Sequence, residues 1–571
     1  MKDLTQIIPA ARGKKEVDLI IKNGQIINVY SGEIYHSDIA IAGEYIVGLD
    51  GSYHARDEID VKNAYIMPGF IDSHVHIESS MVEVPQFARA IVPLGTTSVV
   101  ADPHEIANVF GYEGIRYMMD ASKFNPLNVY FMMPSCVPST HMETAGSELR
   151  AFDIFPFLRE KWVLGLGEVM NFPGVLNGDK DILDKIKITS DKRIDGHAPG
   201  LTGMDLNAYI AAGIESDHEC TTADEALEKL RLGMYIMIRE GTGTKNLKDL
   251  LPMVKCENLC RCMFATDDRH PHDILNEGHI DYMIRTAIEF GIDPVSAIRM
   301  ATLNPAEYFC LRHLGAIAPG KLADLVVVPD LQNFKVSMVI KNGELVAKNG
   351  KSVYDVAERP KASIRGSINI KWLEGDEFKI PASGETCNII GLIKDQIVTK
   401  KLIEKPKIVN GYVESDTDRD LLRCYVIERH HGSGRIGYGL VNGFGLKSGA
   451  IASTISHDSH NIVAVGVSDE DIFNAVKTLN KVGGGIAVSN NGKAIKTLCL
   501  PIGGLMTNQS LEQVNDQLID LINYTHNLGS NLADPFMQLS FIALPVIPKL
   551  KLTDRGLVDV EDFKFISLFT E

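Results

Sequence analysis

Eight short apolar runs, separated by helix-like segments between residues 64 and 317, limit the fold of this chain more than any other feature. They read AYIMPGFIDSHVHI, TSVVADP, NVYFMMPS, WVLGLGEVM, RIDGHA, GIESDHE, YIMIRE and RCMFATDD. Stretches such as MVEVPQFARAIVPLG, YEGIRYMMDASKF and ADEALEKLRLG fall between them with helical periodicity. Strand and helix alternating eight times over this length predict an α/β fold, a (β/α)8 TIM-like barrel. A barrel of that kind carries its chemistry where its strands end, so the runs should finish in polar residues. They finish in His74-Val75-His76, Asp102-Pro103-His104-Glu105, Pro134-Ser135-Cys136, Glu168, His197, His218-Glu219, Arg239-Glu240 and Asp267-Asp268.

His74 and His76 lie two apart at the end of the first run, so both imidazoles face one side of a strand while Val75 packs behind it. Together the strand ends offer His74, His76, Glu168, His197, His218 and Asp267. Four imidazoles and two carboxylates suit Zn²⁺, Mn²⁺ or Fe²⁺, and six ligands exceed what one ion with an open position needs. Two ions sharing a carboxylate would use them all, with Glu168 from the fourth strand between them. Water held there becomes a metal-activated hydroxide near neutral pH. Asp267 can then act as general base and afterwards as general acid. Asp268 belongs to a solvated loop or to the substrate side. His104 either hydrogen-bonds Glu105 or takes part in the reaction, and Glu219 either orients His218 or shuttles a proton.

The barrel is flanked by related phrases, VDLIIKNGQIINVY and VSMVIKNGELVAKNG, in which Lys22-Asn23-Gly24 and Lys341-Asn342-Gly343 read as tight hairpin connections. Residues 1–64 and 318–356 are therefore expected to form one small β-sandwich around the barrel at 65–317. Residues 357–571 mix strand runs with two helical patterns, DEDIFNAVKTLNKV and LEQVNDQLIDLINYTHN, and predict an additional C-terminal α+β domain. Its GRIGYG and GFGLKSG stretches lack the spacing of a dinucleotide fingerprint. His457-Asp458-Ser459-His460 reads as a further metal or acid-base cluster, or as a satisfied polar turn. The region is expected to cover the barrel mouth.

A net charge of −17 disfavours nucleic acid and acidic membrane surfaces as partners, and a small neutral substrate escapes that repulsion. The chain has no apolar run of membrane-spanning length, and its start lacks the apolar core of a secretory signal, so a cytoplasmic location is expected. The nine cysteines are scattered and read as reduced thiols, mostly in the core.

PGFIDSHVHIESS, GLGEVM, DGHAPGL, SDHECT and FATDDRHP, in this order, resemble the amidohydrolase superfamily. With VVADPHEIANV, MMPSCVPST, LNAYIAAGI, IREGTGTKNL and ISHDSHNIVAVG the set resembles the bacterial adenine deaminases over nearly the whole chain. Relatives with a carboxylated Lys at the fourth strand differ here, because WVLGLGEVM ends in Glu168. The resemblance implies hydrolytic deamination of adenine to hypoxanthine and ammonia, in purine salvage or catabolism, with two divalent ions per chain. Mn²⁺ or Fe²⁺ is implied, and Zn²⁺ also fits the ligand types. His74, His76 and Asp267 would hold one ion and His197 and His218 the other, with Glu168 shared. Asp267, Glu219 and His104 are the catalytic candidates, and Glu78, Ser79, Arg239 and Asp268 the candidate purine contacts. Thr242-Gly243 depart from the small Ser and Ala common there, which bears on substrate placement alone. The alternative is another amidohydrolase acting on a cyclic amide or a different amino-heterocycle. The expected partners are a purine base, water and a second copy of the chain in a homodimer.

Overall fold

The computed structural model describes residues 3–49, 51–355, 364, 366–394 and 396–570. The expected boundary between residues 356 and 357 falls outside them.

Eight parallel strands follow the eight apolar runs: β1 (Phe70–Val75), β2 (Thr96–Ala101), β3 (Asn128–Met133), β4 (Val163–Val169), β5 (Arg193–Gly196), β6 (Ser216–Asp217), β7 (Tyr235–Arg239) and β8 (Cys262–Ala265). They form two ladders, β5-β4-β3-β2-β1 and β6-β7-β8. Isolated backbone contacts join the ladders. Asp267 N–H donates to the His74 carbonyl at 3.0 Å across the seam of β1 and β8, and Glu215 N–H donates to the Ile194 carbonyl at 2.9 Å beside β5 and β6. The closed circuit fits a TIM-like barrel.

Side-chain chemistry explains why the strands curl. Ile71, Val100, Met132, Met237 and Met263 form one apolar cluster with Tyr308 and Phe309, while Phe70, Val99, Phe131, Ile236 and Phe264 belong to the larger core that includes the surrounding helices. Strands covered on both faces read as continuous apolar runs rather than as alternation, which is how they appear in the sequence. The pairing of β1 with β2 shifts register between Asp72 and Val75, at the point where the histidines leave the strand.

The flanks of the barrel do join. Tyr65–Pro68 pairs antiparallel with Leu325–Val328, completing one nine-stranded sheet with strands from both sides of the barrel. In its hydrogen bonding this expected sandwich is one continuous sheet. The two Lys-Asn-Gly phrases part company within it. Lys341-Asn342-Gly343 is the expected hairpin, pairing Lys341 with Glu344, and Asn342 and Gly343 have φ of 52° and 83°. Lys22-Asn23-Gly24 is no hairpin, contrary to expectation. It is an irregularity inside the single strand Val17–Asn28, where the register against Glu33–Ala42 shifts between Ile21 and Gly24. Asp38 accepts the Asn23 N–H at 2.9 Å, so a side chain supplies the partner that a turn would have provided.

The C-terminal region is built on an eight-stranded sheet. Both expected helices are present, Asp469–Val482 and Leu511–Asn527. Ser468 caps the first, which carries three acids in its first turn, and a Ser510/Gln513 capping box starts the second. Polar contacts seat the region on the barrel. Thr144 donates to Asp554 through its N–H at 2.9 Å and its hydroxyl at 2.6 Å, and the Asn461 amide donates to the Thr144 carbonyl at 2.8 Å. All nine cysteines are free thiols. Among the described residues no helix is long and apolar enough to cross a membrane.

Candidate active site

The site begins with a tie between the first and last barrel strands. Asp72, fully buried on β1, accepts the Thr266 N–H at 3.1 Å and the Thr266 hydroxyl at 2.5 Å. This fixes the end of β8 beside β1, so His74 and His76 meet Asp267 although it lies 193 and 191 positions further along the chain. Asp267 has φ of 56°, left-handed backbone that a non-glycine residue adopts at a cost of about 1–3 kcal/mol. His76 Nδ1 faces the Asp102 carbonyl at 2.9 Å, which turns Nε2 inward. The Asp102 carboxylate accepts the Glu168 N–H at 3.2 Å. A Cβ on Gly167 would lie 1.9 Å from that carboxylate oxygen, which accounts for the glycine in LGEV. Ser135, ending β3, donates to the Glu168 carbonyl at 2.5 Å.

Glu168 divides its two oxygens between two pairs of imidazoles. Oε1 lies 3.2 Å from His76 Nε2 and 3.9 Å from His74 Nε2, whereas Oε2 lies 2.6 Å from His197 Nδ1 and 3.1 Å from His218 Nε2. Asp267 Oδ1 sits 3.1 Å from His76 Nε2 and 3.7 Å from His74 Nε2. The Nε2 atoms of His74 and His76 are themselves 3.1 Å apart. Donors bound about 2.0–2.2 Å from a common ion are spaced about 3 Å from one another, so the set fits a divalent metal site. His74 with His76 and Glu168, His74 with His218 and Asp267, and Glu168 with His197 and His218 are groupings that could each hold an ion. His218 Nε2 is buried without a hydrogen-bond partner, as a nitrogen reserved for a metal would be.

Electrostatics fit Glu168 and His74 directly. Burial alone would raise the Glu168 carboxyl, but His197 and the neighbouring imidazoles hold it well below the usual carboxylate range. Burial, with His218 and His76 beside it, keeps the His74 imidazole neutral far below its ordinary value. An ionised carboxylate and a neutral imidazole are the forms that bind metal. Against the pull of burial, the neighbouring carboxylates raise His76 well above its ordinary value, His197 to about 9 and His218 above its ordinary value. An ion binding here would displace protons from those three imidazoles.

Arg239, buried at the end of β7, donates from both terminal nitrogens to Glu219 and also reaches Asp267 Oδ2 at 3.0 Å. Glu219 Oε1 lies 3.7 Å from His197 Nδ1 and 3.7 Å from His218 Nε2. His104 directs Nδ1 toward Glu168 Oε1 at 3.4 Å. Arg239, Glu219, His104 and Asp268 all line a cavity of about 930 Å³ above the cluster. Ser79 and Glu78 do not line it. The Ser79 hydroxyl donates to Asp268, and the buried Glu78 accepts the Ile106 N–H at 3.2 Å beneath the helix α1 (His104–Phe110). Both sit behind the wall.

The far wall comes from the C-terminal region: Gln396, His457, Asp458, Phe541, Leu544 and Ile547 line the same cavity. Of these the sequence reading marked only His457 and Asp458. The apolar residues lie in ordinary hydrophobic segments, which carry no signal that distinguishes a pocket wall from a core. Asp102 was visible as a strand-ending acid, but its supporting role depends on β2 and β4 being brought together.

Residues 65–346 match the amidohydrolase family, and residues 396–564 match the adenine deaminase C-terminal domain. Adenine deaminase 2 of Carboxydothermus hydrogenoformans is 50% identical over 99% of both chains. Adenine deaminase of Desulfatibacillum aliphaticivorans is 51% identical over 99% of both, and that of Methanothrix thermoacetophila 48% identical over 100% of both. Similarity therefore runs through the barrel, the flanking sheet and the C-terminal region alike, and the chain belongs to the adenine deaminase family of amidohydrolases.

Proposed function

We propose that this chain hydrolyses adenine to hypoxanthine and ammonia at a two-metal site. The observation that carries the reading is the division of Glu168 between two imidazole pairs, in a chain about half identical to adenine deaminases along its length. His74, His76 and Asp267 would hold one ion, His197 and His218 the other, with Glu168 shared. Mn²⁺ or Fe²⁺ suits this donor set, and Zn²⁺ is compatible with it. When bound, the ions supply Lewis-acid activation of water near neutral pH.

The chain's own groups do the rest. The Asp267 carboxylate accepts the proton of the attacking water and returns it to the departing amine, while Arg239 orients it through Oδ2. Glu219 carries a proton toward the purine ring, oriented by the same guanidinium. His104 is a positioning residue, acting on Glu168 through Nδ1. Arg239 and Asp268 face the purine directly, and Ser79 and Glu78 act from behind, Ser79 by holding Asp268. The apolar side chains of Phe541, Leu544 and Ile547 exclude water from above and give the purine a face to rest against.

The division into residues 1–64 with 318–356, 65–317 and 357–571 belongs to this reading, supported by the separate hydrogen-bonded sheets of the three parts except at Tyr65–Pro68, which pairs into the flanking sheet and moves that boundary past Pro68. So do a cytoplasmic location, supported by nine free thiols, and a homodimer.

The test is ammonia release from the Mn²⁺-loaded enzyme against adenine, adenosine, cytosine and simple cyclic amides. Activity on adenine alone is expected. Activity confined to a cyclic amide would overturn the substrate assignment.

A further inference from the structure

Beside the candidate active site, His104 and Glu105 from the start of α1 face His457 and Asp458 from the loop after the strand Ala450–Ser453. Each pair brings one imidazole and one carboxylate, and all four residues are at least nine-tenths buried, with exposures of 5%, 2%, 6% and 4%. Glu105 Oε1 lies 2.7 Å from His457 Nδ1 and 3.4 Å from His104 Nε2. Asp458 Oδ1 lies 3.8 Å from each of those nitrogens. Four donor atoms thus surround one small volume at spacings close to the roughly 3–3.5 Å expected around a single divalent ion.

The hydrogen bonding points the same way. Despite the short approach of His457, Glu105 Oε1 receives no hydrogen bond of acceptable geometry, and Asp458 Oδ2 is likewise buried without a partner. The other oxygen of Glu105 lies against His460 Nε2, whose ring accepts the Ser456 N–H at Nδ1; that contact is an ion-pair approach, since His460 Nε2 too makes no hydrogen bond of acceptable geometry. A carboxylate oriented by an outer imidazole, with its free oxygen aimed at two more nitrogens, has the organisation of a ligand and its support. Two carboxylates and two neutral imidazoles would also balance the double charge of the ion in a buried place.

We propose that His104, Glu105, His457 and Asp458 form a third divalent-metal site, separate from the Glu168 cluster, that pins the C-terminal region to the barrel mouth. The donors are two nitrogens and two oxygens, which selects a first-row ion such as Mn²⁺, Fe²⁺ or Zn²⁺ over Ca²⁺ or Mg²⁺. His104 links the two centres, since its Nε2 serves the third site and its Nδ1 faces Glu168 Oε1. The inference depends on neither the substrate nor the turnover proposed above, because its readout is metal content.

The experiment is elemental analysis of the full chain, loaded with Mn²⁺ and freed of loose metal by dialysis, as wild type and as His457→Gln and Asp458→Asn, with circular dichroism confirming the native fold. Three Mn²⁺ per chain in the wild type and two in each folded variant are expected. Two in the wild type would show an ion-paired polar cluster without metal, and three retained in a folded variant would place the extra ion elsewhere. Either result overturns the proposal. Should one variant fail to fold, the other decides; should both fail, Glu105→Gln is counted in the same way.

Discussion

Arg239 grips Glu219 with both terminal nitrogens of its guanidinium, and the same group reaches across to Asp267 Oδ2 at 3.0 Å. One cation thereby orients two acids on different strand ends, both with proton-transfer roles in the proposed reaction. Lysine keeps the charge but has a single nitrogen and cannot span the two carboxylates. Arg239→Lys should therefore lower kcat by about 10- to 100-fold while leaving bound metal unchanged. Steady-state kinetics with elemental analysis checks this, and loss of metal alongside activity would count against an orienting role.

Glu168→Gln tests the shared carboxylate. The amide keeps the shape but puts a poor donor where Oε1 and Oε2 divide between His76 and the His197/His218 pair. Metal content should fall, and kcat/KM for adenine should drop by at least about 100-fold. Full metal content with full activity would remove Glu168 from between the ions.

The legibility of this chain follows the range of the interactions involved. The barrel could be read because strands buried on both faces are written locally as apolar runs, and the ligand set because each donor closes such a run, as His74, Glu168 and His218 do. What escaped depends on distant pairing. The Lys22-Asn23-Gly24 phrase has the same residues as the hairpin at Lys341, yet Asp38 on the next strand turns it into a bulge. Phe541 looks like any core aromatic until its ring is found stacked on His457, 4.7 Å between centroids, in the wall of the cavity.

The two Lys-Asn-Gly phrases make separate stability predictions. Gly343 has φ of 83°, and a Cβ there would approach the Gly43 carbonyl oxygen to 2.4 Å, backbone that cannot step aside. Gly24 has no left-handed backbone, and its added Cβ would meet the Ile66 side chain, 2.3 Å from Cδ1 and 2.9 Å from Cγ1. Gly343→Ala should cost about 1–3 kcal/mol or more, and Gly24→Ala less, because at Gly24 the φ is unstrained and a side chain rather than backbone has to yield. Thermal denaturation of both variants ranks them, and equal losses would contradict the different roles of the turn at Gly343 and the bulge at Gly24.

Lys551 supports the wall of the cavity from behind and should make stability depend on pH. Its fully buried ammonium donates to the carbonyls of Phe541 at 2.8 Å and Ile397 at 2.9 Å, and burial pushes its pKa down to about 7. In the unfolded chain the same group titrates near its ordinary value of about 10.4. Between about pH 7 and about pH 10 the unfolded state therefore binds more protons, and folding stability rises with pH by up to about 1.4 kcal/mol per unit from this residue. Below about pH 6 the lysine is charged in both states, the cost of burying that charge is present in full, and the slope vanishes. Lys551→Met removes the titration, so subtracting its Tm from that of the wild type at each pH isolates the contribution from every other ionising group. The difference should be level in mild acid and then shift in favour of the wild type through the alkaline range. A difference that stays level from pH 6 to pH 10 would mean that Lys551 keeps its charge in the folded protein, with an anionic partner that the buried site does not otherwise reveal.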